Sequence, residues 1–319
     1  MICSVLGCGR WGTFIAWYLN HIGKSVRLYG RAKSWHMAQL METRKNEYLV
    51  LPDEVELTTD LQYAVTQADI LIVSVGVQAF RDFLREIKPI KPARTPLVLC
   101  MKGLEEGTGK RLTQIVAEEL GADAPCAIWV GPGHVQDFTR GVPNCMVLDS
   151  ADEALKRTLV NEFSSDLSRF YYGDDLIGNE IGAAAKNVIG IAAGMLDGYE
   201  LTSLKGALMA RGTREIGRLI GALGGSERTA YGLSHLGDYE ATVFSPYSHN
   251  RAFGEKFVRG QSYTQLAEGA ATTKALCRLS EQTQVDLPIC RAVEEVLYEG
   301  KDPKAVLSGL FLRSLKQEF

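Results

Sequence analysis

The sequence predicts an α/β doubly wound sheet followed by an all-α C-terminal domain. Up to about residue 175, short apolar runs alternate with amphipathic segments, the pattern of βαβ units and a largely parallel sheet. A glycine-rich turn follows the first apolar run directly. From about residue 178 strand-like runs stop and helical periodicity carries on to the C-terminus. These features place a boundary near 173–178, giving a dinucleotide-binding domain over 1–177 and a helical substrate-binding or catalytic domain over 178–319.

Taken in order, strands are expected at 2–6, 25–29, 69–75, 96–100, 127–130 and 144–148, with a last and antiparallel one at 168–172. Between them, helical spacing of apolar residues marks 11–21, 78–87 and 109–120. The second part reads as helices at 180–196, 204–223, 264–282 and 287–298. No internal repeat or low-complexity tract interrupts either part.

Composition excludes several functions. The net charge of -3 and pI near 6.0 leave no basic surplus for nucleic-acid phosphates. No polybasic run addresses an anionic membrane, and the longest apolar candidate, 189–196, is far below the ~20 residues that span a bilayer. The seven cysteines, at 3, 8, 100, 126, 145, 277 and 290, form no C-x-x-C pair. They read as free thiols in a reducing compartment, without a disulfide or metal site. The first strand starts at Ile2, which reads as no room for a signal peptide, so the expected location is the cytoplasm.

The turn is Gly7-Cys8-Gly9-Arg10-Trp11-Gly12. A G-x-G-x-x-G between a strand and a helix serves a pyrophosphate: Gly7 for the tight turn, Gly9 for close backbone approach, Gly12 for helix–strand packing. Arg10 and Trp11 open the helix whose N-terminus offers amides and a positive dipole. This is a Rossmann-type fingerprint and points to an NAD(P)-dependent dehydrogenase. An acid ending the second strand would favour NAD, but the chain reads Leu28-Tyr29-Gly30-Arg31. Arg31 could pair with a 2′-phosphate, stack on adenine, or sit solvated. The cofactor expectation is NADP or NAD, with a lean towards NADP.

Two lysines stand out. Lys102 follows the 96–100 strand, at the carboxyl edge where doubly wound folds bind ligands. Lys186 is a lone charge in Gly182-Ala183-Ala184-Ala185-Lys186-Asn187-Val188-Ile189-Gly190. Its small neighbours admit another backbone, which would desolvate the ammonium and suit it to proton transfer. The alternative is a lysine snorkelling out of a buried helix.

These residues and others resemble the bacterial-type NAD(P)-dependent glycerol-3-phosphate dehydrogenases. The likeness runs from the glycine turn through Met101-Lys102-Gly103-Leu104-Glu105, Gly131-Pro132, Ala185-Lys186-Asn187-Val188 and Ala207-Leu208-Met209-Ala210-Arg211-Gly212. It continues with Leu236-Gly237-Asp238, Ser248-His249-Asn250-Arg251 and Ala267-Glu268-Gly269. The resemblance implies reversible reduction of dihydroxyacetone phosphate to sn-glycerol 3-phosphate, a glycerophospholipid precursor. It makes Lys186 the acid/base, Lys102 a ligand of the reacting oxygen beside the cofactor, and Asp238 the group that orients Lys186. It puts Asn187 and Thr242 on the substrate, Ser248 and Asn250 at its phosphate, and Leu266 and Glu268 beside the nicotinamide. Homodimers are common in this class, and no interface is readable here.

Three positions depart from the family pattern. His249 stands where an arginine is usual, and a neutral imidazole cannot make the two parallel bonds a guanidinium gives to phosphate. Arg251 could compensate only if it shared a face with residue 249, and two apart on a helix they do not. Val75-Gly76-Val77 replaces a valine-proline-serine turn. Gly133, after Gly131-Pro132, lacks the usual hydroxyl; His134 beside it reads as structural. Two further readings follow: a sister dehydrogenase acting on another small keto or phosphorylated substrate, and a dinucleotide-binding protein without turnover.

Overall fold

A computed structural model describes residues 1–311; the last eight positions of the expected helical domain, 312–319, lie outside the described residues. The chain forms two compact units. The first holds Met1–Lys102 and Arg111–Glu180, and the second holds Gly103–Lys110 and everything from Ile181.

The first unit is built on one eight-stranded sheet. Its strands are β1 (Ile2–Leu6), β2 (Ser25–Tyr29), β3 (Glu56–Thr58), β4 (Ile70–Val73), β5 (Leu97–Leu99), β6 (Cys126–Val130), β7 (Asn144–Asp149) and β8 (Ser168–Tyr172), in the order β3-β2-β1-β4-β5-β6-β7-β8. β1 to β6 pair in parallel, so the order reverses between β1 and β4. β4 and β5 are buried along their whole length, as strands of a sheet covered on both faces must be.

β7 runs antiparallel to β6. The 131–143 connection between them holds the five-residue helix Val135–Thr139. β8 then pairs in parallel with β7. The expected antiparallel last strand is therefore antiparallel to the main sheet but parallel to its own neighbour. The short edge strand β3 and helices at Trp35–Thr43, Leu61–Thr66, Val135–Thr139, Glu153–Phe163, His249–Val258 and Pro303–Phe311 extend the expected list.

The helices are α1 (Arg10–His21), α2 (Trp35–Thr43), α3 (Leu61–Thr66), α4 (Phe80–Ile87), α5 (Leu112–Leu120), α6 (Val135–Thr139), α7 (Glu153–Phe163), α8 (Leu176–Gly198), α9 (Lys205–Ala222), α10 (His249–Val258), α11 (Glu268–Thr283), α12 (Pro288–Tyr298) and α13 (Pro303–Phe311). Their starts are written locally. Asp60 and Asp152 accept the first-turn amides of α3 and α7, Ser248 caps α10, and Pro288 occupies the first turn of α12, each a standard solution for orphan amides. α8 spans 23 residues; even so, no described helix is long and apolar enough to cross a membrane.

Glu215 on α9 ties the second unit together. Its carboxylate is 1% exposed and accepts the Ile289 and Cys290 amides at 3.0 and 3.1 Å, capping α12 from a neighbouring helix. Burial pushes its pKa up to about 7, against the pull of those two amides. A carboxyl whose folded pKa lies above its free value contributes stability that is complete below pH ~4.5 and lost as pH rises through ~7. Relative to Glu215→Gln, which stays neutral, the wild type is expected to lose about 3 kcal/mol between pH 4.5 and 8. Denaturant unfolding of both proteins across that range checks it, and a pH-independent difference would contradict it.

Candidate active site

At the carboxyl end of β1 the three glycines divide the work. Gly7 has φ +123°, and a Cβ there would sit 2.1 Å from the Ser74 carbonyl oxygen just after β4. A Cβ at Gly12 would lie 1.9 Å from the Gly7 carbonyl oxygen, so α1 can press on the turn only without a side chain. A Cβ at Gly9 would meet nothing within 4 Å, and no side chain caps α1 there. The turn thus leaves room at Gly9 and no side-chain cap on α1, at the sheet's switch point, an arrangement whose helix dipole and backbone suit a diphosphate. Thr13 pins the turn through its hydroxyl to the Cys8 carbonyl at 3.1 Å.

Around this turn, the Arg10 guanidinium lies 4.8 Å from the Tyr48 ring centroid and reaches His134 Nδ1 and Gln136 Oε1 at 3.4 and 3.3 Å. Trp11 packs against Phe14, and Lys102 Nζ stands 5.8 Å from the Trp11 ring centroid. After β2, Arg31 is 65% exposed and its guanidinium is paired with Glu86 of α4 at 2.9 Å. No acid ends β2, and the acid that meets Arg31 comes instead from α4.

Lys102 follows β5, and its ammonium donates to the Gly131 carbonyl after β6 at 2.5 Å. Gly131 and Gly133 adopt φ +130° and +146°. A Cβ at 133 would lie 2.4 Å from Phe138 Cε2. The missing hydroxyl is thus a backbone requirement of this turn, since a serine would be strained and would clash. His134 is buried just before α6, with its Nδ1 at 3.4 Å from the Arg10 guanidinium.

In the second unit, α8 is a nearly continuous buried face. Its glycines let neighbours reach the backbone. A Cβ at Gly190 would be 2.6 Å from Thr242 Cγ2, and one at Gly194 would be 1.9 Å from the Arg251 carbonyl oxygen. Lys186, 7% exposed, sits among them. Its ammonium meets Asp238 Oδ2 at 2.8 Å and donates to Thr242 Oγ1 at 2.8 Å. The Thr242 hydroxyl donates in turn to the Asp238 carbonyl at 2.7 Å. Thr242 belongs to a π-helical turn, 240–244, a geometry common at functional sites. Lys186 does not snorkel; it is buried against a carboxylate.

Asn187 is buried beside Lys186. Of the expected phosphate group, Ser248 Oγ accepts the Arg251 amide at 3.3 Å, and Asn250 Oδ1 accepts the Gly269 amide at 2.9 Å. His249 Nδ1 is 2.8 Å from the Tyr263 hydroxyl, a partner without local signal in the sequence. Arg251 lies in α10 among acceptors of its own unit. Its guanidinium bonds Asp197 and Glu255, both at 2.9 Å, and the Ser245 carbonyl at 3.1 Å, so two carboxylates already balance its charge. Glu268 opens α11, and Leu266 before it is 68% exposed.

A glycine turn shaped for a diphosphate in one unit, and a buried lysine–carboxylate pair in the other, define an NAD(P)-type oxidoreductase. Residues 2–156 match the family model for the NAD-dependent glycerol-3-phosphate dehydrogenase N-terminus, and residues 175–308 match that for its C-terminus. The chain belongs to this family of oxidoreductases acting on CH–OH groups. It is 37% identical over 99% of its length to a glycerol-3-phosphate dehydrogenase [NAD(P)+] of Thioalkalivibrio sulfidiphilus, covering 98% of that protein. A Thermotoga relative of the same description is also 37% identical, over 99% of this chain and 98% of its own. The crystal structure of glycerol-3-phosphate dehydrogenase from Coxiella burnetii superposes with a TM-score of 0.91 at 29% identity, covering 98% of this chain and 99% of that one.

The Arg31–Glu86 pair yields a test of cofactor choice. If Arg31 meets the adenosine ribose, Glu86 would compete with a 2′-phosphate for its guanidinium, and an exposed pair is worth about 0.2–1 kcal/mol. Glu86→Gln is expected to raise the NADPH-to-NADH ratio of kcat/KM by about 1.4- to fivefold. An unchanged ratio would take Arg31 away from the adenosine ribose.

Proposed function

We propose that the chain catalyses reversible reduction of dihydroxyacetone phosphate to sn-glycerol 3-phosphate with NADH or NADPH, supplying a glycerophospholipid precursor. The observation that carries the reading is the buried Lys186–Asp238–Thr242 cluster. Family membership supplies the substrate class.

Gly7, Gly9, Gly12, Arg10 and Trp11 would hold the dinucleotide, with Arg31 towards its adenosine end. When bound, the nicotinamide supplies or accepts the hydride. Lys186 delivers the proton to the oxygen that becomes the hydroxyl, and in the reverse direction takes it back. Asp238 and Thr242 hold the ammonium in one orientation, so its proton points to one place. Lys102, whose ammonium donates to the Gly131 carbonyl, carries the positive charge that the family resemblance gives to a substrate ligand. Asn187 contacts substrate, with Ser248, His249 and Asn250 on its phosphate side; Leu266 and Glu268 border the nicotinamide. The 1–177 and 178–319 segments are read as the dinucleotide-binding and catalytic domains.

A second reading, a sister substrate, draws on the phosphate-side residues. His249 is tied to Tyr263, and Arg251 is neutralised by Asp197 and Glu255. An arginine-free phosphate grip would lose a charge-assisted bond worth about 1.5–3 kcal/mol.

The decisive assay is loss of 340 nm absorbance on adding dihydroxyacetone phosphate, with NADH and NADPH in parallel. Turnover at sub-millimolar substrate is expected. Cofactor binding without oxidation would favour the sister substrate, to be sought with a panel of small ketones. Lys186→Ala is expected to lower kcat by about 10²–10⁴ while NADH affinity, read by fluorescence titration, stays unchanged. A variant with near-normal turnover would remove Lys186 from proton transfer.

A further inference from the structure

The turn that delivers Asp238 to Lys186 is held by two side chains with no place in the chemistry above. His235 Nδ1 is 2.8 Å from the Gly182 carbonyl oxygen, and His235 Nε2 is 2.7 Å from the Tyr239 hydroxyl. A carbonyl only accepts, so Nδ1 carries the hydrogen. A neutral ring then leaves Nε2 as an acceptor, and Tyr239 donates to it. The order of donation, Tyr239 to His235 to Gly182, has one consistent direction.

This chain bridges the two elements whose separation matters. His235 and Tyr239 flank the 3₁₀ turn Leu236–Asp238, while Gly182 lies four residues before Lys186, one turn up the same face of α8. Both rings are wholly buried. A Cβ at Gly182 would come within 3.0 Å of His235 Cβ, and one at Gly212 within 3.1 Å of the Tyr239 hydroxyl, so both rings are seated against glycines. Burial pushes the imidazole down to about 4, keeping it uncharged beside Lys186 and Asp238.

We propose that His235 and Tyr239 are positioning residues for proton transfer: their hydrogen-bonded chain to the Gly182 carbonyl sets the register of Asp238 against Lys186. The proposal rests on Lys186 being the acid/base. Shortening the chain leaves substrate and cofactor contacts in place and loosens only the geometry of the proton donor. Its signature is therefore a fall in kcat without a matching change in binding. A misplacement of about 1 Å at a catalytic group can cost up to about 10²-fold.

The test compares Tyr239→Phe, which removes one oxygen, with His235→Asn, whose amide can still donate to Gly182 but no longer reaches Tyr239. Turnover is expressed per NADH-binding site, so partial unfolding does not count. Both variants are expected to lose about three- to thirtyfold in kcat, with KM for dihydroxyacetone phosphate and Kd for NADH within about twofold. Unchanged kcat with a lowered melting temperature would make the chain purely structural and overturn the proposal. ¹⁵N NMR of the wild-type histidines tests it without mutation, even should both variants fail to fold. A neutral Nδ1–H tautomer at His235 is expected at pH 7, and an Nε2–H tautomer or an imidazolium would refute it. Lys186→Ala run alongside separates the failures: full turnover there sinks the acid/base reading itself, whereas a dead Lys186→Ala beside an unaffected Tyr239→Phe sinks only the positioning role.

Discussion

An ammonium enclosed in a helical unit must find a carboxylate, and Lys186 finds Asp238. Burying either charge alone would cost several kcal/mol, so the pair constrains everything around it. Asp238 comes on a tight 3₁₀ turn, Thr242 on the π-helical turn that follows, and both press on α8 where its residues are smallest. The glycines of α8 permit that approach, and the ion pair gives it a purpose.

The same use of missing side chains recurs in the first unit, with an opposite outcome. At Gly7 and Gly12 the space a Cβ would take is filled by backbone, which closes the strand–turn–helix joint. At Gly9 the space is open, and there the helix N-terminus keeps amides without a side-chain cap. One hexapeptide therefore makes both a rigid joint and an uncapped helix start of the kind that suits an anion. Gly133 adds a third use, a turn whose φ of +146° and contact with Phe138 exclude the hydroxyl expected there.

Charge compensation surrounds several of the candidate side chains. Arg31 and Arg251 are each met by carboxylates, Glu86 for one and Asp197 with Glu255 for the other. His249 similarly acquires Tyr263. Of these partners only Glu255, four residues on in α10, is local; Glu86 lies 55 residues from Arg31, and Asp197 lies 54 from Arg251. The helix α7 was more legible than that, with Asp152 as cap and apolar residues at 155, 159, 160 and 163. β3, three half-polar residues on an edge, offered nothing to read.

By itself the sequence determined what depends on near neighbours: the strand–glycine–helix turn, the apolar runs of β1, β2, β6 and β7, the change of period after 178, and the lone lysine in a small-residue helix. These are constraints of backbone torsion and side-chain period, effective over a few residues. Tertiary structure alone decided that β8 runs parallel to its neighbour, that 103–110 joins the second unit, that Arg251 is neutralised, and that His235 and Tyr239 brace the Asp238 turn. Each of those depends on groups far apart in the chain meeting in space. A hydrogen bond or ion pair there is selected by distance and burial, quantities that no local pattern of residues records.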